Sequence, residues 1–253
     1  MKFYADHFSR VAPAYASCRP RYPDELFVYL FQVCRGHRLA WDCAAGSGQA
    51  TLPLTRAFQR VVATDLSPEM LASAPRHPRI EYRVAPAENS GLTSGSVDLI
   101  TVAQALHWLE PDAFFAEAHR VLKRGAVLAA WTYGIQELAE PETDRILQRF
   151  YHEVVGPYWT PERRHVETGY RELPFPFLEL KPPAFAMQAE WSLSELLGYV
   201  STWSATQRFR ETRGEDPVPE LGRALRPEWG PPSTARTVRW PLSLRIGYSQ
   251  VDQ

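Results

Sequence analysis

The sequence predicts an α/β fold, a mostly parallel sheet with helices on both faces. From Leu39 onward, short apolar runs alternate with helical patterns, and strands separated by helices pair in parallel. Two of those runs also end alike. Leu39-Ala40-Trp41-Asp42 opens into the small-residue loop Ala44-Ala45-Gly46-Ser47-Gly48, and Val61-Val62-Ala63-Thr64 ends on Asp65. Adjacent parallel strands that end this way build a nucleoside site. The loop lets a ligand approach the backbone, and the second carboxylate accepts hydrogen bonds from ribose hydroxyls.

The elements follow in order. In residues 1–38, Pro20-Arg21-Tyr22-Pro23 reads as extended or turn-like, because proline restricts itself and its predecessor. Asp24–Phe31 reads as a helix with acidic residues in its first turn. Strands are expected at 39–43 and 60–65, with a helix from Gln49 to Phe58 between them. Ser67 and Pro68 read as N-cap and first residue of a short helix containing Met70 and Leu71. Further strands are expected at Ile80–Val84, Val97–Ala103 and Ala126–Trp131. The helix from Asp112 places Phe114, Ala118, Val121 and Leu122 on one face.

Beyond Trp131 the texture changes. Proline recurs, and five of the eight tryptophans lie there. Phe185–Trp191 reads as a sixth strand, Ser192–Ser201 as a helix, and Thr237–Ile246 as a last strand or hairpin. The expected sheet therefore has seven strands.

A chain of 253 residues buries a sizeable core in one domain, or one domain with a substantial elaboration. A net charge of −1 leaves no electrostatic footprint for nucleic acid. No apolar run approaches the roughly 20 residues that span a bilayer, and Met1–His7 lacks the apolar core of a signal peptide. The three cysteines, Cys18, Cys34 and Cys43, have no metal-like spacing. They read as free thiols of a reducing, cytoplasmic environment, and Cys43 as a small buried hydrophobe.

Which nucleoside is decided by the loop. Asp65 stands nineteen positions after Gly46, close to the roughly 20 of a dinucleotide fingerprint. That fingerprint wants a third glycine where Thr51 stands, and Asp42 before the loop is foreign to it. Asp42-x-Ala44-x-Gly46-x-Gly48 instead resembles the D/E-x-G-x-G-x-G loop of class I S-adenosylmethionine (SAM)-dependent methyltransferases, with Ala44 replacing the first glycine. Five further segments follow in order: Thr64–Leu71, Ala87-Glu88, Ser96–Ile100, Ala105-Leu106-His107-Trp108 and Arg120–Gly125. Together they resemble the type 11 group that includes trans-aconitate methyltransferase-like enzymes, over about residues 3–133.

The resemblance implies a Rossmann-like sheet with an antiparallel strand near its C-terminal end. It also implies a set of roles. The loop Asp42–Gly48, including Ala44, Gly46 and Gly48, would contact the methionine part of SAM, and Asp65 the ribose. Leu66 and Met70 would flank adenine, and Ala87 and Glu88 would read its edge. Gln104 would lie by the sulfonium. Tyr15 and Arg19 (or Arg21) match a leader that closes over the methionine carboxylate, so residues 1–23 are expected to act as a lid. His107 is the candidate catalytic base, with a packing role against Trp108 as the alternative.

The implied division is a helical leader at 1–38, a SAM-binding core at 39–133, and a C-terminal part at 134–253 that completes the sheet and covers an acceptor. Tyr133, Tyr158, Trp159, Tyr170, Trp191, Trp203 and Phe209 are candidate walls for that acceptor. Arg163, Arg164, Arg208 and Arg213 are candidate anion readers. The expected partner is a small molecule, a carboxylate or a phenol, with no nucleic acid, membrane or metal. A non-catalytic SAM-binding protein and a nicotinamide-dependent oxidoreductase are the competing readings.

Overall fold

The computed structural model describes residues 20–249. Helix α1 (Asp24–Val33) opens the described chain, with Asp24 and Glu25 in its first turn. Five strands then run parallel: β1 (Leu39–Cys43), β2 (Arg60–Asp65), β3 (Ile80–Val84), β4 (Val97–Ala103) and β5 (Leu122–Tyr133). Between them lie α2 (Thr51–Leu54), α3 (Pro68–Ser73) and α4 (Pro111–Val121).

The C-terminal part adds β6 (Glu137–Leu138), α5 (Pro141–Arg149), α6 (Arg163–Glu167), β7 (Leu178–Glu179) and β8 (Phe185–Trp191). These are followed by α7 (Leu193–Ser201), α8 (Ser204–Arg213), α9 (Val218–Trp229) and β9 (Arg236–Tyr248). The sheet order is β3-β2-β1-β4-β5-β9-β6, with β7 and β8 also on β9. Strand β9 runs antiparallel to β5, β6, β7 and β8.

The expected mostly parallel sheet is present, with one correction. It has nine strands among the described residues, not seven. The two additional strands, β6 and β7, are two residues each, too short to show a period of two. Strands β1 to β4 and β8 fall where the sequence places them.

The expected helix from Gln49 to Phe58 contracts to the four residues of α2. Pro53 lies within it, and its missing N–H limits how far a helix can extend there. Ser67 caps α3 by accepting from the Met70 N–H at 3.2 Å, with Pro68 in the first turn. Ser192 caps α7 in a reciprocal box with Glu195.

Two buried layers flank the sheet, and strand alternation sorts the side chains between them. Ala40, Val61, Leu99, Val127, Ala129 and Trp131 join Leu26, Phe27 and Leu30 of α1 on one face. Trp41, Val62, Ile100, Leu128 and Ala130 join Phe114, Ala118 and Val121 of α4 on the other. The helices of the C-terminal part pack on the α1 side, through Leu196, Val200 and Leu225.

Asp98 fastens the near edge of the sheet. Its carboxylate accepts from the Arg38 and Leu39 N–H groups at 2.9 and 3.0 Å and from Lys123 Nζ at 2.5 Å. This ties the entry of β1 to β4 and β5. No helix among the described residues is long and apolar enough to cross a membrane.

Candidate active site

Strand order reverses between β1 and β4, so the chain departs in opposite directions from their carboxyl ends. In open α/β sheets this is where ligands bind. Tight turns build the crevice there. After β1 the backbone turns through Ala44, Gly46 and Gly48, all left-handed with φ of +55°, +55° and +78°. A Cβ at Gly48 would lie 3.1 Å from Ala74, Pro75 and the Tyr82 hydroxyl, a tight fit on top of the left-handed φ that already favours glycine.

Asp65, at the end of β2, holds this loop. Its Oδ2 accepts from the Gly46 N–H at 2.8 Å and its Oδ1 from the Ser67 N–H at 2.9 Å. Each oxygen retains a lone pair for a further donor. Leu66 is 41% exposed beside it, while Met70 is buried. The Met70 methyl lies 3.4 Å from where a Gly46 Cβ would stand.

The Ala85 N–H donates to the Asp65 carbonyl at 3.1 Å, which brings the next loop alongside. There Ala87 is buried, and Glu88 Oε2 is buried with no hydrogen-bond partner. Glu117 of α4 pins this loop from behind. Its Oε1 accepts from Ser90 N at 2.9 Å and Ser90 Oγ at 2.5 Å, and its Oε2 from Arg120 Nε at 2.7 Å. Burial works to raise the Glu117 carboxyl pKa, but these donors outweigh it and hold the pKa below the usual range.

The structure places Asp42 beneath the crevice rather than on its surface. It is fully buried, and its oxygens accept from Thr51 Oγ1 at 2.5 Å and Thr101 Oγ1 at 2.7 Å. Burial pushes its pKa up to about 6, against those two hydroxyls and with the Asp65 charge adding to the rise. Its part is to clamp the end of β1 to the loop and to β4. Cys43 is enclosed by burial and by the charges of Asp42, Asp65 and Glu88, which together hold its thiol well above the ordinary range. Burial likewise pushes Cys34 up to about 12.

At the end of β4, Gln104 also has a left-handed backbone, φ +55°. Its Oε1 accepts from Thr132 Oγ1 at 2.7 Å and the Tyr133 N–H at 2.8 Å, and its Nε2 donates to the Tyr133 carbonyl at 3.2 Å. The side chain is thereby locked across the end of β5.

His107 follows in the short turn Leu106–Trp108. Its ring packs on Trp108 at 4.5 Å, and its Nδ1 lies 3.0 Å from the Tyr170 hydroxyl. Burial, then the charges of Arg163 and His165, lower its pKa to about 3. The imidazole is neutral at neutral pH and a weak base. Tyr170 is fully buried, with φ +64°. The three non-glycine residues with left-handed backbone among those described, Ala44, Gln104 and Tyr170, thus all belong to this one site. Such conformations cluster where function over-determines the backbone.

Of the predicted acceptor walls, Trp159 and Trp203 meet Tyr151 at 5.2 and 5.6 Å, and Tyr158 meets Phe209 at 5.0 Å. Trp191 packs instead with Trp240 and Tyr199. Of the four predicted anion readers, Arg164 pairs with Glu172 on the surface. Arg208 reaches the Tyr158 carbonyl, and Arg213 is exposed at the end of α8. Arg163 alone of the four sits on the aromatic cluster, 4.4 Å over Trp159.

Tyr15 and Arg19 lie outside the described residues, as does most of the expected lid. The sequence reading missed Glu117, Thr101 and Thr132, which have no motif of their own. Only their register against motif residues marks them.

Comparison with known proteins agrees with this architecture. Residues 41–130 match the family model described as "Methyltransferase domain". A candidate methyltransferase of Dictyostelium discoideum is 33% identical over 225 residues, 88% of this chain and 86% of its own. An uncharacterized methyltransferase of Mycobacterium tuberculosis is 31% identical over 175 residues, 64% of this chain and 70% of its own. A candidate type II methyltransferase from Anaeromyxobacter dehalogenans superposes with a TM-score of 0.87 at 46% identity, covering 92% of this chain and 99% of that one. The chain belongs to the class I SAM-dependent methyltransferases, and SAM is its cofactor.

Proposed function

We propose that this methyltransferase acts on a small-molecule acceptor that is already ionised at neutral pH, a carboxylate before a phenol. The observation that carries the reading is the state of His107. A base whose pKa is held near 3 is poorly matched to deprotonating a phenol of pKa about 10. A carboxylate needs no proton removed. The reading therefore assigns His107 to the wall of the acceptor site, hydrogen-bonded to Tyr170, rather than to proton abstraction.

The chain's own groups suit the cofactor. Glu88 Oε2, buried and unpartnered, awaits a donor such as the amino edge of adenine, with Ala87 beside it. Asp65 has lone pairs left for ribose hydroxyls, and the partly exposed Leu66 with Met70 offers an apolar slot for a flat ring. Gly46 and Gly48, with Ala44, leave the loop backbone open to the methionine part, and the locked Gln104 borders the sulfonium. Asp42, Asp65 and Glu88 make the crevice negative, which favours a cation. When bound, SAM supplies an electrophilic methyl on a positively charged sulfur. The protein's work is to align it with the acceptor and exclude water, and positioning is worth on the order of 7–11 kcal/mol.

In this reading residues 39–133 are the cofactor core. Residues 134–249 complete the sheet and cover the acceptor. The test is a screen of small acids, phenols and amines with radiolabelled SAM, followed across pH. A methylated acid is expected, with a rate nearly constant from pH 6 to 8. Label found only in protein or nucleic acid, or a rate that climbs tenfold per pH unit, would overturn the proposal. Asp65→Asn should weaken binding of S-adenosylhomocysteine by about 1.5–3 kcal/mol, the range for hydrogen bonds to a charged group. An unchanged affinity in the folded variant would refute the ribose assignment.

A further inference from the structure

We propose that Arg163 is the specificity-determining residue of the acceptor site: its guanidinium, lying on the Trp159 ring, anchors a carboxylate of the acceptor. The inference rests on the small-molecule reading above and names the group that reads the anion.

The local structure presents this cation deliberately. After α5 the chain makes one wide turn, Phe150–Val154, closed by a hydrogen bond from the Val155 N–H to the Phe150 carbonyl at 3.0 Å. Such single π turns recur at functional sites. Here the turn carries Tyr151, whose ring packs against Trp159 and Trp203. Arg163 lies over both Trp159 and Tyr151, at 4.4 and 5.4 Å from the ring centroids. Its Nε donates to the Tyr151 hydroxyl at 2.7 Å, and that hydroxyl donates to Glu167 Oε1 at 2.7 Å. The phenol therefore stands between cation and carboxylate. No carboxylate among the described residues lies within 4.0 Å of the guanidinium, and its two Nη groups have no hydrogen-bond partner there. The fork is held by its stem side and left open at its tip, the geometry that grips a carboxylate bidentately.

Two further groups lie nearby without partners. Trp159 Nε1 and His165 Nδ1 are both buried and make no hydrogen bond. Trp159 is the ring beneath Arg163, and His165 lies on the same short helix, α6. A buried indole N–H left unpaired is costly, and an oxyanion held by the fork beside the Trp159 ring would offer it an acceptor. The site adjoins the methyl-transfer end of the crevice. Arg163 and His165 are the charges that act on His107, and His107 shares the Tyr170 hydroxyl that closes that end. Flat aromatic walls with one cation suit an aromatic or conjugated acid.

The test uses the full chain with S-adenosylhomocysteine bound and compares 1-naphthoate with its neutral isostere 1-naphthamide, by calorimetry and tryptophan fluorescence. Wild type should bind the acid at least tenfold more tightly than the amide. Arg163→Gln should abolish that preference while leaving the amide and S-adenosylhomocysteine affinities unchanged. Arg163→Lys should keep part of the preference, since charge remains without the fork. Trp159→Phe, which keeps an aromatic ring beneath Arg163 and removes the indole N–H, should weaken the acid severalfold and serves if Arg163→Gln does not fold. Wild type that binds S-adenosylhomocysteine but shows no preference for the acid overturns this inference alone, as does an unchanged preference in Arg163→Gln. Wild type that fails to bind S-adenosylhomocysteine overturns the cofactor reading and this inference with it.

Discussion

Ala44 shows how a single methyl group can be read at the residue scale. The family pattern has glycine there, and the structure explains why: the backbone at 44 is left-handed, φ +55°. An L-residue in that region costs roughly 1–2 kcal/mol. Replacing it by glycine returns roughly 0.4–1 kcal/mol of that gain to the flexibility of the unfolded chain. Ala44→Gly should therefore stabilise the protein by about 0.5–1 kcal/mol in urea unfolding, with cofactor affinity no weaker. A variant less stable than wild type would show that the turn carries no strain. Motif residues of this kind were legible because backbone chemistry fixes them. Gly46, Gly48 and Asp65 were found from spacing, and the structure joins them in one hydrogen-bonded turn. Tyr170 was legible only as a candidate aromatic. Its left-handed backbone follows a left-handed Gly169, and its contact with His107 spans 63 positions. No local pattern announces either.

At the scale of elements, what was legible depended on burial on both sides. Strands β1, β2 and β4 are near-continuous buried runs, as central parallel strands must be, and their bounds could be read directly. The helices α5, α8 and α9 were not anticipated. They carry Arg145, Arg149, Arg210, Arg213 and Arg226 among scattered apolar residues, and they pack in the layer on the α1 side of the sheet rather than build it. Strand β9 was read three residues short because Pro241, Arg239 and Arg245 interrupt its pattern. Each arginine is matched by a partner, Glu137 and Glu179. Element contacts also carry function without touching a ligand. Helix α4 fixes the loop that bears Ala87 and Glu88 through Glu117, which holds Ser90, and through Arg120, which reaches the Leu92 carbonyl. Glu117→Gln keeps the shape but weakens the hold on Arg120 and Ser90, charge-assisted bonds worth about 1.5–3 kcal/mol each. We expect a loss of about 2 kcal/mol in stability and a several-fold weaker affinity for S-adenosylhomocysteine. Unaltered cofactor affinity alongside the lost stability would show that the loop holds its shape without Glu117.

For the molecule as a whole, two titratable groups of the site, His107 and Asp42, oppose each other in acid. His107 has a folded pKa of about 3 against about 6.5 when unfolded. Between those values the unfolded chain takes a proton that the folded chain refuses, so His107 lowers stability as pH falls, by about 1.4 kcal/mol per unit. Asp42 has a folded pKa of about 6 against 3.8. From pH 6 down to about 4 the folded chain holds a proton that the unfolded chain lacks. Asp42 therefore adds stability as pH falls, and that contribution is lost again as pH rises through 6. Over this window the two slopes nearly cancel, and below pH 4 only the His107 loss continues. Each variant should expose the other group. His107→Gln should gain on wild type as pH drops from 6 to 4, by about 2–3 kcal/mol across the window. Asp42→Asn should lose on wild type by a similar amount over the same range. Urea unfolding at pH 4, 5, 6 and 7 measures both differences. The two histories are distinguishable because both groups sit in one site but on different supports. Asp42 is bonded to Thr51 and Thr101 beneath the loop, and His107 to Tyr170 from the C-terminal part. A difference between His107→Gln and wild type that stays flat with pH would mean that the folded protein lets His107 ionise. His107 could then act as a base, and a carboxylate acceptor would no longer follow from its state.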